Sequence, residues 1–152
     1  KALQGLIWEA GFRDGELIAH VYSDVPPALK NWADAGVDLR VYSSGSIRAQ
    51  KLFFGHTEHG NLLGRFSGHY DTTSGGKKVA NSYRNIAADW GLEPADILFI
   101  SDVVEELAAA AAAGCSTALS IRPGNPDTPD GHAHPVIGGF DQVRIATPSN
   151  AK

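Results

Sequence analysis

Apolar residues along this chain fall into short runs of two different periods. Leu3, Leu6, Ile7 and Ala10 stand at i, i+3, i+4 and i+7, the spacing of an amphipathic helix, which Gly11 is expected to end. Asp24-Val25-Pro26-Pro27 reads as the start of a second helix: the Asp24 side chain can accept backbone N–H groups, and proline is tolerated in a first turn. Leu29, Trp32 and Ala33 give that helix a buried stripe, and Gly36 stands where a helix stops. Val37 to Tyr42 is β-branched and aromatic and runs through Ser43-Ser44-Gly45-Ser46 into a helix from Ile47 to Phe54, so the order there is strand, turn, helix.

Beyond a Gly- and His-containing loop from Gly55 to Gly68, His69-Tyr70-Asp71 predicts a short strand and Thr72 to Lys78 a loop. The helix from Ser82 to Trp90 sets Tyr83, Ile86, Ala87 and Trp90 on one face and closes at Gly91. Ile97 to Ile100, apolar throughout, predicts a strand covered on both faces and ending at Ser101-Asp102. A helix from Val104 to Ala113, a stop at Gly114, a strand from Thr117 to Ile121 and a Pro/Gly-rich tail from Arg122 to Gly139 complete the pattern. The alanines behind Leu107 favour helix without bulk and suit close packing on a sheet. Alternating strands and helices joined by short turns predict an α/β fold with a mainly parallel sheet, whose ligands bind outside the carboxyl ends of the strands.

Composition removes several function classes. The sequence has 13 Lys and Arg against 17 Asp and Glu, a net charge of −4, and no basic cluster, so it lacks the electrostatic footprint for nucleic acid or an anionic membrane. One cysteine excludes an internal disulfide framework, and no apolar stretch approaches the ~18 residues of a membrane span. A cytoplasmic protein is the expectation. The chain opens Lys1-Ala2-Leu3 and contains no Met, which suggests a piece of a longer protein.

In a parallel sheet every strand-to-helix turn lies on the same edge, so Ser43 and Ser44, the Lys77 loop and Asp102 are expected to converge. Two hydroxyls with free backbone N–H groups at a helix start form an anion site, a lysine adds positive charge, and a strand-end aspartate can hold Mg²⁺ through oxygen. Together these suit a phosphoryl group. Each also has a plain alternative: Ser44 or Ser46 as an N-cap, Lys77 as a solvated loop cation, and Asp102 as an N-cap with Glu105 completing a capping box. Gly76-Lys77 is not a Walker loop, since Asp71 stands where its first glycine belongs and Lys78 follows the lysine. No Gly-x-Gly-x-x-Gly follows a strand, and the Ser43 turn is not a nucleophile elbow. The His56/His59 and His132/His134 pairs lack Cys or carboxylate partners at metal-ligand spacing, and Cys115 reads as a small buried residue.

Tyr42-Ser43-Ser44-Gly45-Ser46, Gly76-Lys77 and Phe99-Ile100-Ser101-Asp102, in that order, resemble three successive motifs of the haloacid dehalogenase superfamily of phosphatases. Leu3 to Trp8, Asp24 to Pro27, the run from Ser43 through Gln50 to Thr57, and Arg122-Pro123-Gly124-Asn125 resemble its enolase-phosphatase (acireductone synthase) family, a likeness that reaches to about Val143. The resemblance implies a Rossmann-like three-layer sandwich with a mainly parallel sheet over residues 21–152, preceded at 1–20 by the end of a helical cap. It implies Mg²⁺-dependent enolisation and dephosphorylation of a small phosphorylated, methylthio-bearing diketone in methionine salvage. Ser43, Ser44 and Gly45 resemble the phosphate-binding turn, Lys77 the charge-compensating lysine, and Asp102 the acidic Mg²⁺ ligand; Glu105 and Glu106 stand one step further out.

The family's N-terminal Asp-x-[Asp/Glu] nucleophile motif has no counterpart in this sequence. Asp14-Gly15-Glu16 follows a cap-like helix, and Asp130-Gly131 lies in the tail, so neither suits the role. The family places that motif on a central strand between those ending at Ser43 and Ser101. A segment carrying it is therefore the expected partner, the chain alone is expected to be inactive and to fold poorly, and the intact protein is expected to be a monomer. Trp8 and Phe12 are expected to pack within the cap. A non-catalytic anion-binding α/β module, and a receiver-like protein phosphorylated on Asp102, are the other readings of the same residues.

Overall fold

The computed structural model describes residues 10–15, 17–125 and 131–145, over which helices and strands alternate as the apolar pattern predicts. The elements are α1 (Val25–Asp34), β1 (Arg40–Tyr42), α2 (Ile47–Gly55), β2 (Gly68–Tyr70), α3 (Ala80–Trp90), β3 (Leu98–Ser101), α4 (Val104–Ala112), β4 (Ser116–Ser120) and β5 (Val136–Ile137). The stretch before α1 is helical from Ala10 to Arg13, so Gly11 lies inside it instead of ending it. A Cβ on Gly11 would meet the Leu17 side chain at 2.6 Å, and that half-exposed leucine would have to shift to admit it.

All strand pairs are parallel: Tyr42 faces Tyr70 in β1–β2, Ser101 faces Leu119 in β3–β4, and Ser120 faces Ile137 in β4–β5. They form two separate ladders, β1-β2 and β3-β4-β5, where the sequence pattern suggested one sheet. β3 consequently stands at an edge, and Leu98 in it is 44% exposed. The expectation of a strand covered on both faces therefore does not hold. β5 was hidden in the Pro/Gly-rich tail because it is two residues long; Leu119 N donates to Pro135 O and Ile121 N to Ile137 O, fixing it on β4.

The main core lies where α3 and α4 meet the strands. Tyr83, Ala109, Ala110 and Cys115 are buried there, with Tyr42, Ile97 and Phe99 packed against them. The small side chains of α4 permit this close approach, and the rings of Tyr42, Tyr83 and Phe99 meet one another at centroid distances of 5.5, 6.3 and 5.0 Å. Burial pushes the Cys115 thiol above its ordinary value, in keeping with a structural residue.

Asp24 precedes α1, and Pro26 and Pro27 sit in the first turn as expected, but the Asp24 carboxylate makes no cap. Instead both its oxygens accept from Arg122, at 2.5 and 2.7 Å, and Oδ2 also accepts from Phe140 N at 2.8 Å. The guanidinium lies over the Tyr22 ring (4.4 Å) and the Phe140 ring (5.4 Å), so one forked pair ties the start of α1 to the tail. The Arg122 hydrogen bonds hold the Asp24 carboxyl at about 2, against an ordinary 3.8. A depressed carboxyl contributes stability that is present above its unfolded value and lost as pH falls through its folded one. Asp24→Asn is expected to lower the unfolding free energy at neutral pH by about 2 kcal/mol. Urea titrations at descending pH should show the gap to the parent closing between about pH 4 and pH 2; a gap independent of pH would contradict this assignment.

Candidate active site

β1 delivers the Ser43 turn. Ser43 N donates to Tyr70 O at 3.1 Å, extending the β1–β2 ladder by one residue, and Ser43 Oγ accepts from Gly45 N at 3.2 Å. Ser46 is the N-cap of α2, accepting from Ala49 N at 3.1 Å, which leaves Ser44 exposed at the tip of the turn. Gln50 staples the turn from below: its amide nitrogen donates to Gly45 O (3.0 Å) and Tyr70 O (2.7 Å), while its oxygen accepts from His69 Nδ1 (3.1 Å). Burial lowers the His69 pKa, so the ring is held neutral. Asp71, just after β2, is occupied locally: it accepts from Thr73 N and from Ile47 N at the start of α2, and its Thr73 hydrogen bonds hold its carboxyl below the ordinary value.

Lys77 is not a solvated loop cation. Its Nζ lies 2.8 Å from Oε2 of Glu106, and both side chains are largely buried, at 22% and 10% exposure. Glu106, in the first turn of α4, also accepts from Ser101 Oγ at 2.7 Å. Ser101 Oγ in turn accepts from Val103 N at 3.1 Å, while α4 has Val103 at its N-cap position and no side-chain cap. The Asp102 side chain makes no helix cap; it is exposed and accepts from Asn125 Nδ2 at 3.1 Å. On its other side the Lys77 loop is bonded to β1, through Tyr42 Oη donating to Gly75 O at 2.6 Å. One polar network thus runs from the residue before Ser43, through the Lys77 loop and Glu106, to the residue before Asp102.

This donor set does not make a Mg²⁺ site by itself. Asp102 offers one carboxylate, that of Glu106 is taken by Lys77, and among the described residues no group of three His, Cys, Asp or Glu side chains could hold a metal ion. Mg²⁺ usually keeps several waters and is held by one or two carboxylates together with phosphate oxygens, so Asp102 fits the part of one ligand and not of a complete site. The histidine rings are occupied elsewhere: His56 Nδ1 bonds Leu52 O, His59 Nε2 meets Val21 O, and His134 Nδ1 bonds Thr117 Oγ1 with His132 stacked on it. Asp14 lies in an exposed turn and Phe12 packs on the His56 ring at 5.6 Å, while Trp8, Glu16 and Asp130 fall outside the described residues.

A family model for haloacid dehalogenase-like hydrolases matches residues 3–114. The chain belongs to that family. Among curated relatives it is 54% identical over 144 residues to enolase-phosphatase E1 of Marinobacter nauticus, covering 94% of this chain and 61% of the relative. It is 49% identical over 143 residues to enolase-phosphatase E1 of Sorangium cellulosum, again 94% of this chain and 61% of the relative. The chain therefore spans about three-fifths of the length of these relatives. Among solved structures, the UTR4 protein of Saccharomyces cerevisiae superposes with a TM-score of 0.85 at 36% identity, covering 93% of this chain and 66% of that one. The L-2-haloacid dehalogenase RSc1362, at 18% identity and TM-score 0.68 over 80% of this chain and 54% of that one, shares the fold.

For a haloacid dehalogenase-like chain, the residues that sequence reasoning passed over are Gln50 and Asn125. Gln50 occupies an inward position of α2 among apolar neighbours, and a polar residue there is a signal for a buried hydrogen-bonding task. Asn125 had only its place in the Arg122–Asn125 run to mark it. The Lys77–Glu106 pair gives a direct prediction, because removing one member of a largely buried pair strands the other. Lys77→Met is expected to destabilise by about 3 kcal/mol, and Glu106→Gln added to it to recover much of that loss. A double-mutant cycle by urea unfolding reads the coupling, and strictly additive effects would show that the pair is not formed.

Proposed function

We propose that the Ser43 turn and Lys77 bind the phosphoryl group of a small phosphate ester with Asp102 as a Mg²⁺ ligand beside it, and that the intact protein is a Mg²⁺-dependent enolase-phosphatase of methionine salvage. Its substrate would be 2,3-diketo-5-methylthiopentyl-1-phosphate, enolised and then dephosphorylated to the acireductone. The observation that carries the reading is the network joining the Lys77 loop to β1 beside Ser43 and to β3 beside Asp102. The relatives named enolase-phosphatase E1 support the choice of substrate.

In this reading the Ser43 and Ser44 hydroxyls and the Gly45 N–H donate to phosphoryl oxygens, and Lys77 offsets their negative charge. Phosphoryl transfer asks little of a protein beyond such positioning and electrostatic stabilisation. A carboxylate oxygen attacks phosphorus, the ester P–O bond breaks, and the departing enol oxygen takes a proton. Water then cleaves the acyl phosphate, returning the carboxylate and releasing phosphate. Asp102 would supply one oxygen toward Mg²⁺, which when bound would offset charge on the phosphoryl oxygens, with water, phosphate and the nucleophile-bearing segment as its other oxygen donors. The attacking carboxylate is proposed to sit on a further strand between β1 and β3, a position favoured by the split of the parallel strands into two ladders and by the exposure of Leu98. Residues 1–20 would end a helical cap, and the intact protein would act as a cytoplasmic monomer without nucleic-acid or membrane partners. No helix among the described residues is long and apolar enough to cross a membrane.

A Mg²⁺-dependent phosphatase assay on the chain alone and on the chain supplied with a nucleophile-bearing N-terminal segment tests this. No turnover is expected from the first and turnover from the second, with Ser43→Ala and Lys77→Met each lowering kcat by roughly 100-fold. Phosphate binding without turnover in either case would instead mark a non-catalytic anion-binding module. Turnover by the chain alone would remove the need for the added strand, and a labile phosphate on Asp102 would make that residue the acceptor.

A further inference from the structure

Three successive carbonyl oxygens lead the backbone into Lys77, and each accepts a hydrogen bond from a side-chain hydroxyl. Tyr42 Oη donates to Gly75 O at 2.6 Å, Ser82 Oγ to Gly76 O at 2.7 Å, and Tyr83 Oη to Lys77 O at 2.5 Å. Surface loops ordinarily leave such carbonyls to water. Here the donors come from two elements, β1 and the first turn of α3, and Ser82 and Tyr83 are themselves buried at 2% and 3% exposure. Gly75 lies directly on them: its φ is +123°, a region that favours glycine, and a Cβ there would run into Ser82 Oγ.

None of these hydroxyls is required by the elements that carry them. The helical hydrogen bonds of α3 do not involve the carbonyls of residues 75–77, and a phenylalanine at 42 or 83 would offer the same ring to Phe99. Tyr42 and Ser82 also hydrogen-bond each other, and Gly76 O takes a second bond from Val79 N at 3.1 Å, so the hydroxyls and the loop carbonyls form one bonded cluster ahead of α3. Burial raises both phenols, so they stay protonated and able to donate throughout the neutral range. Lysine carries a compact charge on a flexible stem. Its ammonium can be delivered to one place only if the backbone beneath it is fixed, and the Glu106 contact restrains the far end alone.

We propose that Tyr42, Ser82 and Tyr83 are positioning residues that clamp the Gly75–Lys77 backbone, so that Lys77 is preset for a phosphoryl group. The proposal rests on the phosphoryl-binding reading above. In the full chain, Tyr42→Phe, Tyr83→Phe, the double variant and Ser82→Ala are compared by two measurements. Amide hydrogen exchange is followed in the peptide spanning residues 75–79, with the amides of α4 and β4 as internal reference. Acetylation of Lys77 by acetic anhydride is followed by mass spectrometry against rising inorganic phosphate.

The double variant is expected to raise exchange at 75–79 by about tenfold with the reference amides unchanged. The phosphate concentration that half-protects Lys77 should rise about fivefold, because a looser loop must be ordered at binding. Unaltered exchange and unaltered half-protection in every variant would overturn the clamp. So would exchange that rises equally in α4 and β4, which would mark the hydroxyls as general core residues. If phosphate fails to protect Lys77 in the parent chain while exchange at 75–79 still rises in the variants, the clamp on the loop stands and the phosphoryl-binding reading falls.

Discussion

The Lys77–Glu106 ion pair joins two parts of the molecule that no backbone ladder connects among the described residues. Lys77 belongs to the loop between β2 and α3, and Glu106 to the helix that follows β3, so the contact spans the β1-β2 and β3-β4-β5 sheets. Desolvating two charges consumes most of what their attraction returns, and such a pair is weak as a source of net stability. Its effect is directional. The carboxylate accepts from Ser101 Oγ at the end of β3, so the pair sets where the ammonium lies relative to the strand ends, while the hydroxyl bonds to the Gly75, Gly76 and Lys77 carbonyls restrain the loop itself. The packing of Tyr42, Tyr83 and Phe99 holds the sheets together without specifying that place, since apolar contact is tolerant of small slips.

Local chemistry was readable in the sequence and non-local chemistry was not. The helices α1 to α4 appear within two residues of where periodicity and stop residues put them, because those signals act over a turn or two. The Ser43 turn was recognisable for the same reason, as a strand running into hydroxyls and a helix. What failed depended on partners far along the chain. Asp24 has every local mark of an N-cap, yet its carboxylate is claimed by Arg122, 98 residues away. Asp102 and Glu105 have the spacing of a capping box, but the N-cap position of α4 falls on Val103 with no side-chain cap, and the Asp102 carboxylate accepts from Asn125, 23 residues away. The split into two ladders was invisible for a related reason: strand order is a matter of pairing, and alternation of β with α leaves pairing open.

The electrostatics of the site follow from this division of labour. With a net charge of −4 the chain as a whole does not attract anions, and Lys77 is already paired with a carboxylate. In the proposed function, a phosphoryl group arriving at the Ser43 turn would meet hydrogen-bond donors first and would share the lysine with Glu106 second. Such sharing would weaken ground-state capture while keeping the ammonium in place for charge that grows during transfer, and only that difference accelerates a reaction.

Asp102 shows how the tail enters the same logic. Its carboxylate is exposed and accepts from Asn125, whose side-chain oxygen accepts from Arg122 N, while the Arg122 side chain is locked to Asp24. The orientation of a strand-end acid at β3 is thereby linked to Asp24, the residue preceding α1, through one forked guanidinium pair. Of the links in this series, Arg122 N to Asn125 is anchored at the backbone and Arg122 to Asp24 is closed by two bonds, while Asn125 to Asp102 is a single exposed side-chain bond and so the softest of them. The deep depression of the Asp24 carboxyl, the stacking of Arg122 between two rings and the placement of Asp102 are one arrangement, assembled from residues that look unrelated in the sequence.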